Sequence, residues 1–269
     1  MSSIAMQPAQ AAQRAGTLKP LPLWQALLYF GLPALLFRLS LYAALPALLR
    51  LGLAPFHAFV VSFTVPAALL FALAFALCKR DGYALSWSAL KTRLRLQLMT
   101  GADWLWVIGG VVVYTTLGGL SFTAQLLISA FPAIAPPDFW PPWLTPGTTF
   151  DLGAWATYIG APLLGNWRAA VLFGVMLFFN IFGEELWWRG YILPRQEQAH
   201  GRWAWVMNGL LWWLWHLAFY PWQVFALLPI CLIIPFVAHR RQNTWPAIII
   251  HWANGLSLVL LLAAVLGLA

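Results

Sequence analysis

Charge is what this sequence has least of: Asp, Glu, Lys and Arg make up 8% of its 269 residues, where a soluble domain carries about 25%. With 62% of the residues hydrophobic, there is too much apolar surface for water, and the composition excludes an ordinary soluble enzyme or binding module. Cysteine is nearly absent. Cys78 and Cys231 offer neither a disulfide framework nor a metal-binding spacing. No serine sits in a Gly-x-Ser-x-Gly setting and neither cysteine neighbours a histidine in the chain, which weighs against a covalent nucleophile. The first 20 residues lack the short apolar core of a cleavable signal peptide. No internal repeat is visible, which weighs against a transporter of two related halves. The net charge of +8 forms no continuous basic stripe, so nucleic acid is not an expected partner.

Long apolar runs are what the sequence does have. A membrane-spanning helix needs about 20 mostly apolar residues, and about seven runs qualify: 23–49, 56–78, 104–131, 169–193, 203–220, 224–238 and 246–266. The predicted class is therefore all-α, a polytopic membrane helical bundle with about seven transmembrane helices. Basic residues give its sidedness. Lys79, Arg80, Lys91, Arg93 and Arg95 follow the second run, Arg195 and Arg202 the fourth, and Arg240 and Arg241 the sixth, whereas 132–167 has no Lys or Arg. Lys and Arg concentrate in cytoplasmic loops, so the amino terminus, with Arg14 and Lys19, is expected to be cytoplasmic. The expected location is the inner (plasma) membrane of a bacterial cell, crossed several times. The organisation read from this pattern has four parts. They are a cytoplasmic tail (1–22), N-terminal membrane helices (23–131) with a basic surface helix near 86–99, an extracytoplasmic Pro/Trp-rich loop (132–167) and a core (168–269).

The chain has only three glutamates, and Glu184 and Glu185 stand together inside the fourth run. An ionisable side chain in a membrane helix costs several kcal/mol unless it is paired or faces water. Glu185 and Arg189 are four apart, on one helix face, and can pair. Glu184 is turned about 100° away and is left over. His216 in the fifth run and His251 in the seventh, with Asn254 three residues on, bring polar groups from two further helices. One explanation is a buried ionic network with packed histidines that only holds the bundle together. The other is chemistry. A carboxylate and an imidazole can together deprotonate water, and a second imidazole with an amide N–H can stabilise the oxyanion formed when that water attacks a peptide carbonyl.

These residues also resemble a known pattern. Glu184, Glu185 and Arg189 match the EExxxR motif of the CAAX protease and bacteriocin-processing (CPBP, or Abi) family. His216 is similar to the histidine of its FxxxH motif and His251 to that of its HxxxN motif. Trp212 stands where the second motif has phenylalanine. Asn254 falls at the third position after His251, with Gly255 at the fourth. The resemblance implies an intramembrane endopeptidase of the Ras-converting, CAAX prenyl protease type, with 168–269 as its catalytic core. Carried over, Glu184 and His216 would activate water, His251 and Asn254 would hold the oxyanion, and Glu185 and Arg189 would shape the site. The substrate would be a membrane-associated or lipid-modified peptide or protein, met in the lipid bilayer. Cleavage is expected near the cytoplasmic side, because Glu184 lies about two to three turns from that end of its helix. No cofactor is expected, zinc on Glu184, His216 and His251 being the alternative. The alternative function is a non-enzymatic one, bacteriocin self-immunity or a membrane scaffold of the same fold.

Overall fold

The computed structural model describes residues 18–147 and 151–268, so most of the expected tail lies outside the described residues. The described chain is all-helical. Its elements are α1 (Leu23–Leu39), a π-helical turn (Ser40–Ala44), α2 (Leu45–Arg50), α3 (Pro55–Arg80), α4 (Trp87–Arg93), α5 (Gly101–Gly118) and α6 (Phe122–Ala130). After the Pro/Trp-rich loop come α7 (Leu152–Ile159), α8 (Trp167–Glu185), a π-helical segment (Leu186–Ile192), α9 (Leu193–His200), α10 (Ala204–Leu217), α11 (Val224–Arg241), α12 (Trp245–His251), a 3₁₀ turn (Trp252–Gly255) and α13 (Leu256–Val265).

Six stretches are long and apolar enough to cross a membrane: Leu23–Arg50, Pro55–Arg80, Gly101–Ala130, Trp167–Leu217, Pro221–Arg241 and Trp245–Val265. The fourth has 51 residues, far more than one crossing requires. It reverses at Gly201, whose φ is +54°. Asn208 then donates to the Trp188 carbonyl (3.1 Å) and Trp212 to Glu184 (2.7 Å), so α10 runs back antiparallel beside the end of α8. Six apolar stretches thus give seven passes. Outward faces such as Leu27, Leu32, Leu35, Val61, Leu105 and Val171 are exposed, as suits a lipid-facing surface.

Proline and glycine set the close contacts. Pro66 lacks an N–H and so leaves the Ser62 carbonyl free inside α3. The Ser40 hydroxyl donates to it at 2.6 Å. A Cβ on Gly183 would lie 2.5 Å from the Ala67 carbonyl, which lets α8 approach α3 closely. A Cβ on Gly209 would lie 2.5 Å from the Cys231 carbonyl, the group that Pro235 leaves without its helical partner. Gly110 likewise packs on Ile250.

The basic surface helix is shorter than 86–99. It ends at Arg93, because Arg95 takes a left-handed conformation (φ +54°) and its carbonyl accepts from Thr244 N–H. Arg93 is not solvated but 3% exposed. Its guanidinium donates to the carbonyls of Gly190 (3.1 Å) and Tyr191 (3.2 Å) in the π-helical segment. The first of these is an acceptor that Pro194 leaves open. The basic end of the bundle is thereby bonded shut. Arg95, His239 and Gln242 converge there on Glu197, and Thr244 ties to Leu94. Arg38, exposed on the bundle surface, donates to the Ala218 carbonyl and stacks over Tyr42.

Candidate active site

The polar residues singled out in α8, α10 and α12 meet in the middle of the bundle. Glu184, Glu185, Arg189, His216 and His251 are all buried. Arg189 Nη1 donates to Glu185 Oε1 at 3.0 Å, as the i, i+4 spacing predicts. The same oxygen accepts from His251 Nδ1 at 2.8 Å. Glu185 therefore serves as a clamp between two helices. The guanidinium of Arg189 lies 3.7 Å over the Trp212 ring, which balances a cation that one carboxylate oxygen serves only in part.

Glu184 is left out of that clamp, as its rotation around the helix predicts. One of its oxygens accepts the indole N–H of Trp212 at 2.7 Å. Its other oxygen accepts from no described residue, and the residue as a whole is 2% exposed. His216 Nδ1 lies 3.0 Å from the Trp212 carbonyl. A carbonyl only accepts, so Nδ1 carries a proton, and in the neutral ring Nε2 keeps the lone pair. By the same logic His251 gives its Nδ1 proton to Glu185, which fixes the ring plane.

A cavity of about 550 Å³ adjoins this cluster. His216, His251, Asn254 and Trp212 line it, with Tyr114, Asn180 and Tyr220 adding polar atoms to a largely aromatic and aliphatic wall. Glu184, Glu185 and Arg189 do not line it; Glu184 reaches the wall through Trp212. Ser121, Asn254 and Leu256 are lining residues exposed on the outside of the bundle, which leaves the cavity a side opening. Towards the Pro/Trp-rich loop it adjoins a second cavity of about 350 Å³, with which it shares Trp143, Leu144 and Gln223. It thus extends away from the basic end, while Glu184 sits on its basic side.

Asn254 stands one residue short of the HxxxN spacing, at the third position after His251. The 3₁₀ turn at Trp252–Gly255 has three residues per turn, so positions three apart eclipse. His251 and Asn254 therefore face the same cavity. Tyr114 OH donates to Asn254 Oδ1, which leaves the amide N–H groups available to the cavity.

Three features lay outside the sequence reading. Tyr114 carried a signal, since a phenol in an apolar span needs a partner. The indole N–H of Trp212 was hidden by treating the residue as only an aromatic replacement. A cysteine and a histidine that are apart in the chain meet in the fold: Cys231 Sγ lies 3.6 Å from His216 Nδ1. That nitrogen already carries a proton held by the Trp212 carbonyl, so it is no base for the thiol, and Cys231 is off the cavity wall. For zinc, no set of three His, Cys, Asp or Glu side chains among the described residues is arranged to hold an ion.

Compared with known proteins, residues 166–257 match a family model described as Rce1-like, type II CAAX prenyl endopeptidase. The match spans about a third of the chain and contains Glu184, Glu185, Arg189, His216, His251 and Asn254. No curated protein matches, and no solved structure does.

Proposed function

We propose that this chain, a member of the CAAX protease family through residues 166–257, is an intramembrane endopeptidase that hydrolyses a membrane-associated or lipid-modified peptide with a water activated by Glu184 and His216. The observation that carries this reading is the convergence of His216, His251 and Asn254 on one cavity wall, with an otherwise unpaired carboxylate one hydrogen bond behind it. In this reading water sits between the second oxygen of Glu184 and Nε2 of His216. The pair takes a proton from water as its oxygen attacks the scissile carbonyl carbon. The resulting oxyanion lies against Asn254 Nδ2 and, when the ring carries a second proton, against His251 Nε2–H. Collapse breaks the C–N bond, and the proton held by the Glu184–His216 pair passes to the leaving amine. Glu185 and Arg189 keep His251 in place. No step runs through a metal.

The aromatic wall and side opening suit a substrate that arrives from the bilayer. The cavity's direction favours access from the half of the membrane next to the 132–167 loop, with the scissile bond reaching inward to His216. The test is cleavage of quenched fluorescent peptides, prenylated and unprenylated, by purified protein in detergent, with and without a chelator. Cleavage lost in Glu184→Gln and retained with chelator is the expected result. Cleavage abolished by chelator and restored by zinc would replace the mechanism with a metal-dependent one. One observation favours the non-enzymatic alternative, namely that Glu184 is 2% exposed and covered by Trp212. Folded wild type that cleaves none of the peptides would move the assignment to an immunity or scaffold role.

A further inference from the structure

Trp212 occupies the most connected position in the site. Its N–H donates to Glu184, its face carries Arg189, and its ring centroid lies 4.9 Å and 5.4 Å from those of His216 and His251. Phenylalanine at this place in the second motif would supply the packing and no hydrogen bond. The other indoles nearby sharpen the contrast. The N–H groups of Trp188 and Trp215 are buried and have no acceptor among the described residues. The N–H of Trp212 therefore stands out among its neighbours in reaching the carboxylate that the proposed chemistry uses.

We infer that Trp212 is a positioning residue: its indole N–H holds one oxygen of Glu184 and so restricts the direction of the other, the oxygen that takes the proton from water in the peptidase reading. A carboxylate free to rotate about its last torsion spends most of its time misaligned, whereas one oxygen pinned at 2.7 Å leaves the other a narrow range of directions. Alignment of this kind is worth about ten- to a hundredfold in rate when lost by small displacement. The inference rests on the peptidase reading for its kinetic test but not for its spectroscopic one.

The experiment compares wild type, Trp212→Phe, and a form carrying the isosteric benzothienylalanine at 212, which keeps the bicyclic ring and lacks the N–H. Both replacements are expected to lower kcat about ten- to a hundredfold with KM within twofold, and the isostere to keep the thermal midpoint. In substrate-free protein, the infrared difference spectrum between isostere and wild type is expected to show a shifted carboxylate band. That band is expected to vanish when both are made on a Glu184→Gln background. If wild type cleaves and the isostere matches or exceeds its kcat, the inference is overturned, a rise meaning that Trp212 masks Glu184. If no form cleaves, the peptidase reading fails, and the infrared band alone decides whether Trp212 holds Glu184; its absence overturns the inference.

Discussion

At the scale of single residues, the site separates two carboxylates that are neighbours in the chain. Glu185 spends its oxygen on Arg189 and His251, and one oxygen of Glu184 has no hydrogen-bond partner among the described residues. Glu184→Gln and His216→Ala should therefore each lower kcat about a hundredfold or more, with the folded state intact. Asn254→Ala should cost about 10²–10³ in kcat as a lost oxyanion donor, with KM little changed. Glu185→Gln should act differently. It removes the charge that balances a buried guanidinium, so it should lower the thermal midpoint as well as the rate, an outcome read by melting in detergent. The division of labour between the two glutamates was legible in the sequence, because 100° per residue separates them. The role of Trp212 was not, since no spacing rule says which acceptor an indole N–H will find across helices. The partner of Tyr114, 140 residues away, is illegible for the same reason.

At the scale of elements, helices and their order were readable from apolar run length, but departures from α geometry were not. Hydropathy does not distinguish three, 3.6 or about four residues per turn, yet the site depends on all of them. The π-helical segment after Glu185 carries Arg189, and its carbonyls are met by Arg93. Arg93→Met should remove two hydrogen bonds from a charged donor and lower stability by about 1–3 kcal/mol, measured as a fall in midpoint. Gly183→Ala should also destabilise, because its Cβ would press on the Ala67 backbone. Prolines gave the only sequence hint of these places: Pro66, Pro194 and Pro235 each leave a carbonyl that another element comes to meet. The third motif shows the same limit. Counted in residues, Asn254 is displaced; counted in turns, it is aligned with His251.

At the scale of the whole molecule, one end of the bundle is tied by Arg95, Glu197, His239 and Thr244 and the other carries the cavity. Sequence reading placed the chemistry near the basic end, from the position of Glu184 along its helix. It could not see that the space beside Glu184 runs the opposite way, because a cavity belongs to the packing between helices and to no run of residues. Ser257→Cys should therefore react with an impermeant thiol reagent applied from the side of the 132–167 loop in sealed vesicles, and Arg202→Cys only from the other side. Cys78 and Cys231 are buried and should give little background. The reversal at Gly201 bears on more than local shape. A chain that crosses an even number of times returns to the compartment it left, and one that crosses an odd number does not. Had the 51-residue stretch crossed once, the residues after α13 would emerge beside Leu23; because it folds back, they emerge opposite. A single left-handed glycine thus sets the parity of the fold, and a reporter fused after Leu268 would read the state of that turn from the far side of the membrane.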